Sequence, residues 1–316
     1  VITTNDIEIF IMTHNRANLI EQSIESVFSQ TVCVKRITVL DNESTDMTET
    51  LLKRYGKKIN YIKTYGKLGN FYKAQEVASK QYCILFHDDD LIHPKYLENA
   101  LHVLNIIPNI AQVLTRYTEF CDNMVPPFSD KISCDYYLFP NQKAFATHMF
   151  FIERIAYCTA IYRTYDFKNT VIDYDLYNKF NDWPFLLKIS TKGKTVLFND
   201  PNFLLLRRHK GQDTWSSTNS PTVEQIVNWD LAFWNIFKKD LFLRKMYSYR
   251  SQYYLRGKYD NFLLPALKKE YSFDSVLHVA IQKGIVISCK KEDKVFHLFQ
   301  RFVLSRYHKV PSNTTI

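Results

Sequence analysis

Apolar and polar positions switch between two periods along the first hundred residues. "IEIFIMT" (7–13) is a short apolar run rich in β-branched residues and predicts a buried strand. "ANLIEQSIESVFSQ" then sets Leu19, Ile20, Ser23, Ile24, Val27 and Phe28 on one stripe at helical spacing. "KRITVLDN" predicts a second strand, and "ESTDMTETLLKRYGKK" a second helix with Ser44 or Thr45 as its cap. "INYIKT" and "NFYKAQEVASK" repeat the pair. "YCILF" and "PKYLENALHVLNIIP" repeat it again, with Pro94 near the first helical turn. Strand and helix alternating through short loops predict parallel βαβ units and an α/β fold.

After residue 110 the pattern is weaker. "AQVLTRYTEF", "CTAIYRT", "KTVLFND" and "NFLLLRRH" read as strands, "NQKAFATHMFFIER" as a helix, and a further helix starts at or just after Asp182. From Thr222 to Arg306 the period is mostly helical. The polar stretch "GQDTWSSTNSP" (211–221) is the best boundary, dividing the chain into 1–214 and 215–316.

Charge sharpens that division. From Trp215 onward there are 16 Lys and Arg against 8 Asp and Glu, whereas residues 1–214 carry 25 against 24, so nearly all of the net +9 sits in the last third. An anionic membrane face, a nucleic acid or an anionic glycan would suit such a surface, and so would plain solvation. No nucleic-acid motif accompanies the charge, and none is expected as a partner. No apolar run reaches the ~18 residues of a membrane-spanning helix, and "VITTNDIEIF" lacks a signal-peptide layout. Cys33, Cys83, Cys121, Cys134, Cys158 and Cys289 show no metal-type spacing, which suits a reduced, cytoplasmic compartment.

In open α/β sheets, ligands bind beyond the carboxyl ends of the strands. "THNR", "DNESTD" and "HDDD" all fall there. Three adjacent carboxylates repel, so solvent or a cation must separate them. Asp88, Asp89 and Asp90 could ligate Mg²⁺ or Mn²⁺ and accept from a sugar hydroxyl; an exposed acidic loop is the plainer alternative. Asp41 could accept from the imide N–H of a uracil ring. It could equally cap the next helix, though Asp46 suits that use better.

Taken in order, these segments resemble the family 2 glycosyltransferases of the GT-A fold. "FIMTHNR" stands where the family has its first strand and T-Y-N-R. "VLDNESTDMT" is similar to V-D-D-G-S-T-D-x-T, and "YCILFHDDDLIHP" to Y-x-x-x-L-D-x-D-D-x-x-x-P. The likeness is close over residues 6–110 and looser to 214. It implies a Rossmann-like, mostly parallel mixed sheet flanked by helices, here with a mainly helical C-terminal region. It also implies that Thr13, His14, Asn15, Arg16, Asp41 and Asp88 bind the nucleotide, and that Asp89, Asp90 and His209 hold Mn²⁺ or Mg²⁺. His87 replaces the family's first Asp. "NDWPFLLKI" resembles E-D-x-x-x-x-x-[RK], which makes Asp182 the catalytic base, with Asn181 in place of Glu. "LLLRRHKGQDTWS" resembles R-x-H-x-x-x-x-S, which puts Arg207 and Lys210 at the diphosphate.

The expectation is thus an inverting, metal-dependent transfer from a nucleotide-diphosphate sugar, a UDP-sugar by preference. The acceptor would be a glycan or lipid-linked hydroxyl in bacterial capsule or lipopolysaccharide synthesis, at the inner face of the plasma membrane. A sugar nucleotidyltransferase is the enzymatic rival, disfavoured by the Gly-free "MTHNRANLIEQ". A non-catalytic nucleotide- or glycan-binding module is the other, suggested by His87 and Asn181.

Overall fold

The computed structural model of the chain describes residues 1–121, 124–153, 155–209, 212, 221–263, 272–287 and 309–310. The expected alternation forms. β1 (Ile7–Thr13), α1 (Ile20–Phe28), β2 (Ile37–Asn42), α2 (Thr48–Leu52), β3 (Asn60–Thr64), α3 (Gly69–Val77) and β4 (Tyr82–His87) follow in turn. β3, β2, β1 and β4 lie side by side and parallel, with Ile9 beside Ile37 and Ile84. Ile7, Ile9, Phe10, Ile11, Val39, Leu40, Ile84 and Leu85 are all buried, as expected of strands covered on both faces. α1 turns Ile20, Ser23, Ile24 and Val27 inward, the stripe read from the sequence.

One expected cap is not used. α2 starts at Thr48, with Met47 rather than Ser44 or Thr45 at the cap position. Ser44 Oγ instead accepts from the Asn15 N–H (2.8 Å), and the Thr45 N–H donates to Asn15 Oδ1 (2.7 Å). The two loops at the ends of β1 and β2 therefore bind each other, and Asp46 supplies the acceptor for the Thr48 N–H (3.0 Å).

The sheet then continues with mixed direction. β5 (Leu91–Ile92), α4 (Tyr96–Ile106), β6 (Ile110–Thr115), β7 (Thr118–Cys121) and β8 (Tyr136–Phe139) come first. α5 (Gln142–Phe151), β9 (Ile161–Arg163), α6 (Thr164–Lys168), α7 (Tyr174–Tyr177), α8 (Asp182–Ile189), β10 (Lys194–Phe198) and β11 (Leu204–Arg208) follow. With β12 (Lys309–Val310) the large sheet runs β12-β8-β10-β6-β9-β4-β1-β2-β3. β9 is antiparallel to both neighbours, β4 and β6, so its start meets the carboxyl end of β4. "AQVLTRYTEF" is two strands and not one: β6 stays in the large sheet, while β7 joins β5 and β11 in a small three-stranded sheet. That small sheet brings β11 beneath the turn at Asp88–Asp90.

Apart from β12, the C-terminal part is helical where described: α9 (Val223–Phe237), α10 (Leu241–Lys258) and α11 (Phe273–Gln282). An aromatic cluster joins it to α5. The Phe150 ring centroid lies 5.0 Å from Phe233, 4.9 Å from Tyr247 and 4.8 Å from Tyr254. Trp183 of α8 meets Trp229 of α9 at 5.3 Å. Edge and offset ring contacts of this kind add about 0.5–1.5 kcal/mol each beyond area burial. The helices thus share the hydrophobic core of the α/β portion.

Candidate functional site

The register fixes what stands at the sheet edge. Thr13 of β1 lies beside Asp41 of β2, and Met12 beside His87 of β4. Asp41 is fully buried; its Oδ1 accepts from the Ser44 N–H (3.1 Å) and its Oδ2 from the Tyr61 hydroxyl (2.8 Å). A carboxylate has about four acceptor positions, so two protein donors leave room for a third. His14 is exposed and donates from Nδ1 to the Asn42 carbonyl (2.5 Å). Asn15, at φ 52°, bridges to Ser44 and Thr45 as described above. Asn70 reaches in from the first turn of α3 and donates to the Thr13 carbonyl (3.1 Å). Gly69 beside it lies close to the edge, where a Cβ would stand 3.0 Å from Asn42 Oδ1 and that side chain would have to give.

The acidic turn follows β4, and its three carboxylates face different groups. Asp89 Oδ2 lies 3.0 Å from His209 Nε2 and 3.5 Å from the Arg16 guanidinium, which itself lies 2.6 Å from His209 Nε2. Asp90 Oδ1 accepts from the Arg207 backbone N–H (3.0 Å). Asp88 is buried, and its Oδ2 has no hydrogen-bond partner among the described residues. Burial and the neighbouring Asp89 push Asp88 up to about 7; the Thr13 hydroxyl, Arg16 and His87 pull it back only in part. Burial and Asp89 likewise push Asp90 up to about 6.

Arg207, expected at the diphosphate, lies fully buried behind this turn. Its Nε donates to the Asp89 carbonyl (2.8 Å) and a terminal N–H to Gln22 Oε1 (2.5 Å), while the guanidinium lies over the Phe120 ring at 4.7 Å. β11 places it there, pairing Arg207 with Phe120 of β7. Arg16 is the half-buried cation paired with the Asp89 carboxylate. Lys210 lies outside the described residues.

Asp182 opens α8, as expected. No hydrogen bond from the described residues reaches its carboxylate. Although half-buried as a residue, it has enough protein around its carboxyl to push it up to about 6, with His87 and Lys258 pulling it down. Asn181 is buried, donating to the Asn178 carbonyl (2.5 Å). Lys258 comes from the far end of α10, its ammonium 3.6 Å from the Phe180 ring centroid and 3.9 Å from that of Trp229. A carboxyl raised to about 6 near the acidic turn is the kind of group that can exchange a proton close to neutral pH.

Comparison with known proteins gives this arrangement a lineage. The model of the family "Glycosyl transferase family 2" matches residues 8–170, which takes in β1 to β4, the acidic turn and the packing around it. The chain belongs to that family. It is a glycosyltransferase of the GT-A fold. An uncharacterised glycosyltransferase of Rickettsia typhi is 27% identical over 260 residues, covering 76% of this chain and 74% of that one. Another from Rickettsia prowazekii is 32% identical over 106 residues, a third of each chain. Among solved structures, Staphylococcus aureus TarS (residues 1–349) in complex with UDP-GlcNAc superposes with a TM-score of 0.61 at 16% identity, covering 87% of this chain and 80% of that one. A mannosyltransferase of Pyrobaculum calidifontis, in complex with GDP-Man and Mn²⁺, gives 0.51 at 12% identity, covering 95% and 84%.

Sequence patterns did not single out Asn70, Tyr61, Gln22 or Lys258. The first three are defined by partners across the sheet edge, and Lys258 by the return of α10, so neither leaves a local signal. In this glycosyltransferase, Arg207 is the clamp of the acidic turn. Arg207→Met should lower stability by roughly 2–4 kcal/mol, since buried charge-assisted bonds go and their acceptors stay. Urea denaturation measures this, and Arg207→Lys should recover only part; a Met variant as stable as the parent would refute the clamp.

Proposed function

We propose that the protein is an inverting, metal-dependent glycosyltransferase that uses a UDP-sugar. The carrying observation is the pair formed by the Asp89–His209–Arg16 cluster and the hydrogen-bond-free carboxylate of Asp182, both at the β4 edge. Asp89 and His209 offer one oxygen and one nitrogen donor 3.0 Å apart, a set that suits Mn²⁺ as well as Mg²⁺. The unpartnered Asp88 oxygen and the raised carboxyls beside it fit a place that takes up positive charge. When bound there, the cation would screen the charge of the departing diphosphate.

Around it the chain's residues take these roles. Asp41, Thr13, His14 and Asn15 border the nucleobase and Asp88 the ribose. Arg16 faces the diphosphate and Lys210 extends that charge, while Arg207 holds the turn in place. Asp182 accepts the proton of the acceptor hydroxyl as that oxygen bonds to the anomeric carbon, and the bond to diphosphate breaks with its electron pair leaving on phosphate. Residues 1–214 would carry donor binding and the base, and 215–316 would flank the acceptor. A glycan or lipid-linked acceptor of a bacterial surface polysaccharide suits the basic C-terminal part.

UDP with Mn²⁺ at about 100 times its Kd should stabilise the native chain by roughly 2.7 kcal/mol, seen as a rise in melting temperature. GDP, CDP, dTDP and ADP should do less, and Asp89→Ala should abolish the metal-dependent part. No rise with any nucleotide would favour the binding-module reading. Asp182→Asn should keep that rise yet lose about 10²–10⁴ in kcat. Because the base must be ionised, kcat/KM should climb as pH rises through about 6 and level off above it. A profile flat between pH 5 and 7 would remove Asp182 from that role.

Among the described residues no helix is long and apolar enough to cross a membrane. We propose peripheral contact instead, at the α9–α10 corner, where exposed Leu241 and Phe242 stand among Lys238, Lys239, Arg244 and Lys245. Vesicles containing phosphatidylglycerol should retain the protein at physiological salt and lose it on Leu241→Ser/Phe242→Ser. Equal recovery with neutral vesicles would count against electrostatic docking.

A further inference from the structure

One buried acid lies away from the β4 edge, in the helical region. Asp230 of α9 is fully buried where α10 returns across that helix. The Tyr247 hydroxyl of α10 donates to its Oδ2 and lies 3.1 Å from the Asp230 carbonyl. The Tyr247 ring is stacked on Phe150 of α5 (4.9 Å) and lies 5.3 Å from Trp234. The other carboxyl oxygen, Oδ1, has no hydrogen-bond partner among the described residues. Neither has Ser251 Oγ, which is buried one turn along α10 from Tyr247.

A carboxylate at this place would be a charge in an apolar core with a single side-chain donor on one of its oxygens. α5, α7 and α11 also pack on α9 and add Phe150, Tyr177, Val276 and Ala280 to that core. Among the described residues, Tyr247 and Lys258 of α10 are the titratable groups that act on Asp230. Burial pushes its carboxyl up to about 7, and the Tyr247 hydroxyl and Lys258 draw it down only in part. The neutral acid is thus the form that fits the closed α9–α10 contact, and the ionised form is better served by water. Lys258, seated over the Trp229 ring, acts on Asp182 as well, so one lysine serves two carboxyls.

We propose that Asp230 is a proton-operated latch on α10: neutral, it locks α10 to α9 and keeps Lys258 beside Asp182; ionised, it lets α10 open. On opening, Asp230 gives its proton to water, and its carboxylate gains the hydration that the core denies it. With α10 open, the proton leaves near the ordinary value of about 4; with α10 closed, it stays to about 7. Opening therefore becomes easier by up to about tenfold per pH unit between those values and changes no further above them. The latch does not depend on the UDP-sugar reading; only the importance of Lys258 rests on Asp182 being the base.

Amide hydrogen exchange on the full chain tests it, comparing the parent with Asp230→Asn, which keeps the shape and cannot ionise. After correction for the intrinsic pH dependence of exchange, α10 opening in the parent should rise relative to Asp230→Asn by roughly 50-fold from pH 5 to 7. Should Asp230→Asn fail to fold, Tyr247→Phe decides: without the hydroxyl donor, the upper end of the window should move to higher pH. A pH dependence of α10 opening that is the same in parent and Asp230→Asn would overturn the proposal, as would an unmoved window in Tyr247→Phe. So would a difference seen in urea unfolding and not in α10 exchange, which would make Asp230 a buried acid without a latch. The readout needs no turnover, and Asp182→Asn tests the base separately.

Discussion

A buried guanidinium holds the acidic turn in shape. Arg207 has no exposed face, and its Nε and terminal N–H groups reach the Asp89 carbonyl and Gln22 while its backbone N–H reaches Asp90. An arginine without water must have its donors satisfied, because an unpaired buried charge costs several kcal/mol. Here the acceptors are the very backbone and side chain that must be held still. The small sheet β5-β11-β7 exists around this contact: Leu205 pairs with Leu91, just past the turn, and Arg207 with Phe120. Ser23 of α1 adds a second tie, donating to the Asp90 carbonyl (2.8 Å).

With the backbone fixed, the three carboxylates cannot relax apart, and their electrostatics follow. Asp89 is the one with cations on it, Arg16 and His209. Burial, and then the charge of Asp89 beside them, holds Asp88 and Asp90 above the ordinary carboxylate range. In the folded state they retain protons over a pH window in which the unfolded chain has lost them. These groups therefore contribute less to stability as pH rises from about 4 toward 7, the reverse of a salt-bridged carboxylate. Strain of this type at a sheet edge is common where a ligand supplies the missing charge.

How far the sequence discloses this depends on whether a feature is local. β1 to β4 and their helices are legible because each carries its own period, and "HDDD" is legible because like charges at a strand end are unusual. The division of "AQVLTRYTEF" between two sheets is not legible, since both halves have strand character and only tertiary pairing separates them. Ser44 and Thr45 look like caps, yet Asn15 competes for them from a loop 29 or 30 residues away. Arg207 has the same limitation. A basic residue in "LLLRRHK" reads as a charged loop, and nothing nearby reports that β11 carries it inside.

The C-terminal helices have a similar relation to Asp182. α10 returns across α9 so that Lys258 ends over Trp229 and Phe180, with its charge acting on Asp182. Burial alone would hold Asp182 protonated to a higher pH, and the nearby His87 and Lys258 draw it back to about 6. The ring cluster around Phe150 makes that placement rigid, because shifting α10 would break contacts with Tyr247 and Tyr254 together. Among the described residues, Lys258 thus carries charge from the basic region beyond residue 214 to the carboxyl of Asp182. The aromatic content of that region, which in composition resembles ordinary core, is what fixes that lysine's position.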